Sequence, residues 1–104
     1  MTKSSKAIYK KADTFSKLAK TRGYRSRSAI KLLEIQKKDN FIEPNAKVLD
    51  LGSSPGGWSQ VSREIVGKKG LIFGVDKKIM QPLKSVYFVN KDLENLCESD
   101  FEVL

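Results

Sequence analysis

The chain has 104 residues, room for one domain, and its 39% hydrophobic and 31% charged residues are an ordinary globular balance. Twenty Lys and Arg against 12 Asp and Glu leave a formal net charge of +8, which points to a polyanionic partner, nucleic acid first. One cysteine, Cys97, and no histidine rule out an internal disulfide and argue against a metal site or histidine-based acid–base chemistry. No apolar run approaches the ~20 residues needed to cross a bilayer, so the expected setting is cytoplasmic, away from membranes.

Residues 1–22 read as a basic N-terminal arm, and residues 23–104 as the folded part. Residues 1–31 hold ten bases, from Lys3 to Lys31, against one acid, Asp13. Tyr9, Phe15 and Tyr24 are interleaved with them. Bases pair with phosphates and aromatics stack on nucleobases; the plainer reading of the first dozen residues is a solvated tail. Ser26 or Ser28 is expected to cap a helix that runs to about Lys38. Ala29, Leu32 and Leu33 fall at i, i+3, i+4, with Ile30 and Ile35 widening the stripe. Lys31 lies off that line and by periodicity alone is a surface lysine.

Pro44 and Asn45 mark a turn before an apolar burst, Val48-Leu49 and Leu51, short enough for one strand. After Gly52–Gly57 a helix is expected from Trp58 to about Val66, with Val61, Ile65 and Trp58 toward a sheet and Gly67 ending it. Leu71–Val75 and Val86–Val89 read as further strands, separated by a loop containing Pro82. Strands separated by helical patterns imply parallel pairing. From Asp92 onward there are five acids and no base. A short helix is expected around Leu93, Leu96 and Cys97. Phe101–Leu104 then reads as the start of a fourth strand, so the domain is expected to be C-terminally truncated.

The stretch Gly52-Ser53-Ser54-Pro55-Gly56-Gly57 is the chemical centre. Glycines let backbone N–H groups approach a ligand. Asp76 follows Gly57 by nineteen residues, at the end of the next strand. An acid about twenty residues past such a loop accepts from ribose hydroxyls. The spacing Gly-x-x-x-Gly-Gly differs from the dinucleotide fingerprint and favours an adenosine-type ligand without a pyrophosphate. A plain strand-to-helix turn is the alternative.

Arg25-Ser26-Arg27-Ser28-Ala29-Ile30-Lys31-Leu32-Leu33-Glu34-Ile35, followed by Asp50-Leu51-Gly52-Ser53-Ser54-Pro55-Gly56-Gly57-Trp58-Ser59-Gln60, resembles two motifs of the FtsJ family of RlmE-type methyltransferases. The resemblance covers Gly23 to Asp92. It implies an α/β, Rossmann-like class I S-adenosylmethionine-dependent methyltransferase fold with a parallel sheet. It also implies 2′-O-methylation of a uridine ribose in large-subunit ribosomal RNA, without a metal, by a protein that is monomeric when complete. Lys31 matches the first lysine of the family's Lys-Asp-Lys-Glu catalytic set, where it would orient the 2′-OH. Gly56, Trp58, Asp76 and Asp92 match cofactor-binding positions, Asp92 near the adenine. Trp58 as a core tryptophan and Asp92 as a helix cap are the alternatives. The other three catalytic positions have no match in the chain, so an inactive form is expected. Ser53-Ser54 stands where Ala-Ala is common. A non-catalytic basic RNA-binding module is the competing function, and a different nucleotide-binding α/β protein a third.

Overall fold

A computed structural model describes residues 13–102. Lys3, Lys6, Tyr9, Lys10 and Lys11 of the expected arm lie outside the described residues. The first dozen residues, read as a solvated tail, lie outside the described residues; residues 13–22 form helix α1, with Ala19 buried. Gly23, at φ +79°, closes it. The Tyr24 N–H donates to the Ala19 carbonyl at 2.8 Å and the Gly23 N–H to that of Lys20 at 3.3 Å, a Schellman ending.

Helix α2 spans Ser28–Asp39. The expected serine cap is not made: Arg27 precedes the helix without a side-chain cap, and the Ser26 and Ser28 hydroxyls bond each other at 2.7 Å. Ser26 is held instead against α3, where its Oγ fills the space a Gly57 Cβ would need. Ala29, Ile30 and Leu32 are buried and Lys31 between them is exposed, as the stripe implied. Past the helix, the Gln36 amide binds both the N–H and the carbonyl of Ile42, at 3.0 and 2.7 Å, and turns the chain toward the sheet.

Strands β1 (Lys47–Leu51), β2 (Leu71–Asp76) and β3 (Val86–Asn90) form a parallel sheet in the order β1-β2-β3, with α3 (Gly57–Val66) crossing between β1 and β2. The β2–β3 crossover is made by residues 77–85 without a helix. On one face, Ile72 packs with Ala29, Leu32, Ile42, Val61 and Val66 of the core. Gly74 sits mid-strand because α3 and its loop press on it; a Cβ there would lie 2.8 Å from Ser53 Oγ.

The other face carries Phe73, and there the structure corrects the reading of the C-terminal stretch. Glu98–Phe101 is a 3-10 turn, so Phe101 does not open a strand; Val103 and Leu104 of that expected strand lie outside the described residues. It lays the Phe101 ring 5.2 Å from that of Phe73. The contact takes part of the Phe101 ring out of water. The expected short helix is likewise a 3-10 turn, Leu93–Asn95. Over β1 the same face is open, and Leu49 and Leu51 are about half exposed (44% and 52%). No helix among the described residues is long and apolar enough to cross a membrane.

Candidate functional site

Strand β1 ends where its chain must turn sharply into α3, and β2 supplies the anchors for that turn. The N–H groups of Gly52 and Ser53 both donate to the Val75 carbonyl, at 2.7 and 3.0 Å. The Ser54 N–H donates to Asp76 Oδ2 at 2.9 Å, and the Lys78 N–H to Asp76 Oδ1 at 2.9 Å. Asp76 thus braces the glycine loop and its own following turn. Each carboxylate oxygen can accept a second bond, so capacity for further hydroxyl donors is retained. Three of the loop's N–H groups are spent on β2. The donors left to face a ligand are those of the first turn of α3, which have no partner within the helix.

A cavity of about 270 Å³ opens beside this loop. Ser26 and Ser28 line it from the start of α2, Asp50 and Leu51 from β1, Ser54 and Pro55 from the loop, and Trp58 from α3. That volume lies at the small end of ligand sites and suits part of a nucleoside-bearing molecule. Asp50 is held above the usual carboxylate range, first by burial and then by the charge of Asp76, against the 2.7 Å hydrogen bond from Ser59 Oγ.

The predicted glycine loop lines this cavity, and of the five residues assigned a role by the family resemblance only Trp58 does. The residue is 39% exposed, borders Val48 and Leu49 of β1 across a second cavity, and its Nε1–H donates to the Ser28 carbonyl at 2.9 Å. The indole N–H, in the first turn of α3, finds an acceptor at the start of α2, which fixes the ring between the two cavities. Gly56 is buried under the loop at φ +117°, where a Cβ would lie 3.0 Å from Leu83 Cδ1 and 3.1 Å from Arg25 Nη1. Asp92 follows β3 and accepts the Glu94 N–H through Oδ1 at 3.2 Å, so the cap reading is realised at one oxygen. Lys31 is exposed, one turn along α2 from the cavity-lining Ser28. Gly56, Trp58 and Asp76 are brought together by the loop; Lys31 is on α2 and Asp92 follows β3, and neither lines the cavity.

Sequence reasoning missed Asp50 and Arg25. A carboxylate inside the apolar run Val48–Leu51 was the available signal for Asp50. Arg25 heads the first motif, but its partners, backbone carbonyls of remote loops, leave no trace in the sequence.

A parallel sheet with a glycine loop after its first strand and an acid ending the second defines a Rossmann-like α/β protein. Within that class the chain belongs to the FtsJ-like methyltransferase family, whose pattern matches residues 24–102. It is 48% identical over 83 residues to ribosomal RNA large subunit methyltransferase E of Methanocaldococcus jannaschii, covering 80% of this chain and 33% of the relative. It is 50% identical over 80 residues to the protein of that name in Marinobacter nauticus, covering 77% of this chain and 39% of the relative. The chain therefore spans a third to two fifths of these relatives' length. A crystal structure of a ribosomal RNA methyltransferase from Plasmodium falciparum superposes with a TM-score of 0.64 at 44% identity, over 69% of this chain and 40% of that one.

Proposed function

We propose that this chain supplies the cofactor-binding part, and one catalytic lysine, of an S-adenosylmethionine-dependent methyltransferase acting on a uridine ribose 2′-oxygen in large-subunit ribosomal RNA. The observation that carries this reading is the glycine loop pinned to Val75 and Asp76 beside a hydroxyl-lined cavity. When bound, the cofactor supplies an activated methyl group. The residues present suit it: Asp76 keeps lone pairs for ribose hydroxyls, Asp92 has a second oxygen for an adenine amine, and the first turn of α3 offers N–H donors. The exposed Trp58 ring forms part of the rim. Lys31 would hold the 2′-OH by a hydrogen bond. Most of the rate enhancement would come from holding the two substrates in line, worth ~7–11 kcal/mol in well-oriented systems.

Lys17, Lys20, Arg22, Arg27, Lys31, Lys37 and Lys38 are exposed along α1 and α2 and would meet the RNA phosphates. Neutralising about five phosphates on single strands gives a slope of about −3.5 for log K against log salt. The same residues favour a second reading, an RNA-binding module without catalysis. Filter retention of labelled S-adenosylmethionine, with RNA binding measured in parallel, separates the two. The methyltransferase reading expects cofactor retention that Asp76→Ala abolishes, together with salt-dependent binding of undermethylated large-subunit RNA. RNA binding without cofactor retention would establish the second reading instead.

A further inference from the structure

Arg25 lies between α1 and α2, and its guanidinium reaches two loops remote in sequence. Nη1 donates to the Pro55 carbonyl of the glycine loop at 3.1 Å and also to the Gln81 carbonyl. Nη2 donates to the Pro82 carbonyl at 2.9 Å. The backbone follows the side chain: the Arg25 N–H donates to Gln60 Oε1 at 2.8 Å, and Gln60 Nε2 returns to the Gly23 carbonyl at 3.2 Å. Gly56 has no Cβ, and the space one would need is occupied by the Arg25 side chain and Leu83. The other ties between the two loops are long, Ser54 Oγ to the Ile79 carbonyl at 3.5 Å and Ser53 Oγ to Met80 Sδ at 3.7 Å. The charge-assisted bonds of Arg25 are the stronger set.

We infer that Arg25 is a positioning residue for the ligand cavity: its guanidinium fork locks the glycine loop to the β2–β3 loop and so sets the aim of the first-turn N–H groups of α3. The fork's side-chain bonds go to loop carbonyls and none goes to a strand or helix, so its loss frees the loops and leaves the core standing. Ser54, Pro55 and Gly57 line the cavity, and the Pro55 carbonyl held by Arg25 lies between them. A planar fork serves three carbonyls where a lysine ammonium is a compact point donor. The same chain segment leads directly into α2 and Lys31, so one residue couples the RNA-facing helix to the cavity. The consequence for ligand affinity rests on the cofactor reading above; the loop-locking does not.

The test uses the full chain with Arg25→Ala and Arg25→Lys. Amide hydrogen exchange is mapped in the free protein, and S-adenosylhomocysteine affinity is measured by calorimetry. In Arg25→Ala, exchange should quicken about tenfold at residues 54–57 and 80–84 together, with the amides of α2 and β2 unchanged. Millimolar guanidinium ion should restore protection in that variant and leave the wild type unaffected. Affinity should fall about tenfold and recover with the same additive. If Arg25→Ala loses its global fold, Arg25→Lys decides, and loosening of at least one of the two loops is expected. Unchanged exchange at both loops, or failure of guanidinium to restore it, overturns the inference. If the wild type binds no S-adenosylhomocysteine, the cofactor reading fails, and exchange and rescue still decide the role of Arg25.

Discussion

The two ends of the candidate site are built by opposite means. Around Gly52–Gly57 the hydrogen bonds reach far along the chain: Ser54 to Asp76, Trp58 to Ser28, Pro55 to Arg25. Around residues 91–102 they stay local: Asp92 to Glu94, Cys97 to Asp100, Lys91 to Asp100. The Phe101–Phe73 contact ties that second segment to the sheet. A loop held by distant partners keeps its shape only while the whole fold stands. A segment held by its neighbours keeps its turns and can leave the body as a unit.

The sharpest way to break this contrast is Gly56→Ala. A Cβ at φ +117°, 3.0 Å from Leu83, combines backbone strain with overpacking. A loss of about 2–4 kcal/mol is expected in urea denaturation, and the damage should spread to α2 and the β2–β3 loop. A cost confined to the loop would show that its remote ties are dispensable.

Phe101→Ala should cost less, about 1–2 kcal/mol, since the ring is only partly buried. Amide exchange should quicken over residues 91–102 and stay unchanged at Gly52–Gly57. Faster exchange at the glycine loop would mean the two ends are coupled.

Asp50→Asn sharpens the comparison through pH. Burial raises the Asp50 pKa, so the folded chain holds that proton more tightly than the unfolded one. The resulting stability is full below the ordinary carboxylate pKa of about 3.9 and is lost as pH rises through the raised value. Asp50→Asn should therefore be more stable than wild type at neutral pH, with the gap closing on acidification. Destabilisation independent of pH would show that the charged form is the one the fold needs.

The smallest effect belongs to Lys91 and Asp100, 2.9 Å apart. The hydrogen bond from Lys91 is the main cause holding the Asp100 pKa below the usual range. Its sign is opposite to that of Asp50: the stability is present above the ordinary carboxylate pKa and fades as pH falls through the lowered one. Lys91→Ala should flatten that acid limb slightly, and salt should mask the difference.

Much of the fold was legible in the sequence. The apolar runs at Val48–Leu51, Leu71–Val75 and Val86–Val89 and the glycines between them placed three strands and α3 within a residue or two. Helix α1 was not legible, because its residues are mostly polar and Ala19 is its one buried hydrophobic residue among those described. Phe101-Glu102-Val103-Leu104 alternates like a strand, and nothing local reveals that Phe101 has a ring to stack on 28 residues earlier. The glycine loop and Asp76 were found from spacing. That Asp76 also takes the Ser54 N–H, and that Trp58 donates to the Ser28 carbonyl, depend on backbone groups that carry no residue-specific trace.

The central claim is that the loop, Asp76 and Asp92 form a site for an adenosine-bearing sulfonium cofactor rather than for a dinucleotide. Calorimetric titration of the chain with S-adenosylmethionine and, separately, with NAD tests it most directly. The account predicts saturable binding of S-adenosylmethionine that is lost in Asp76→Ala, and weaker or no binding of NAD. Equal or tighter binding of NAD would contradict it.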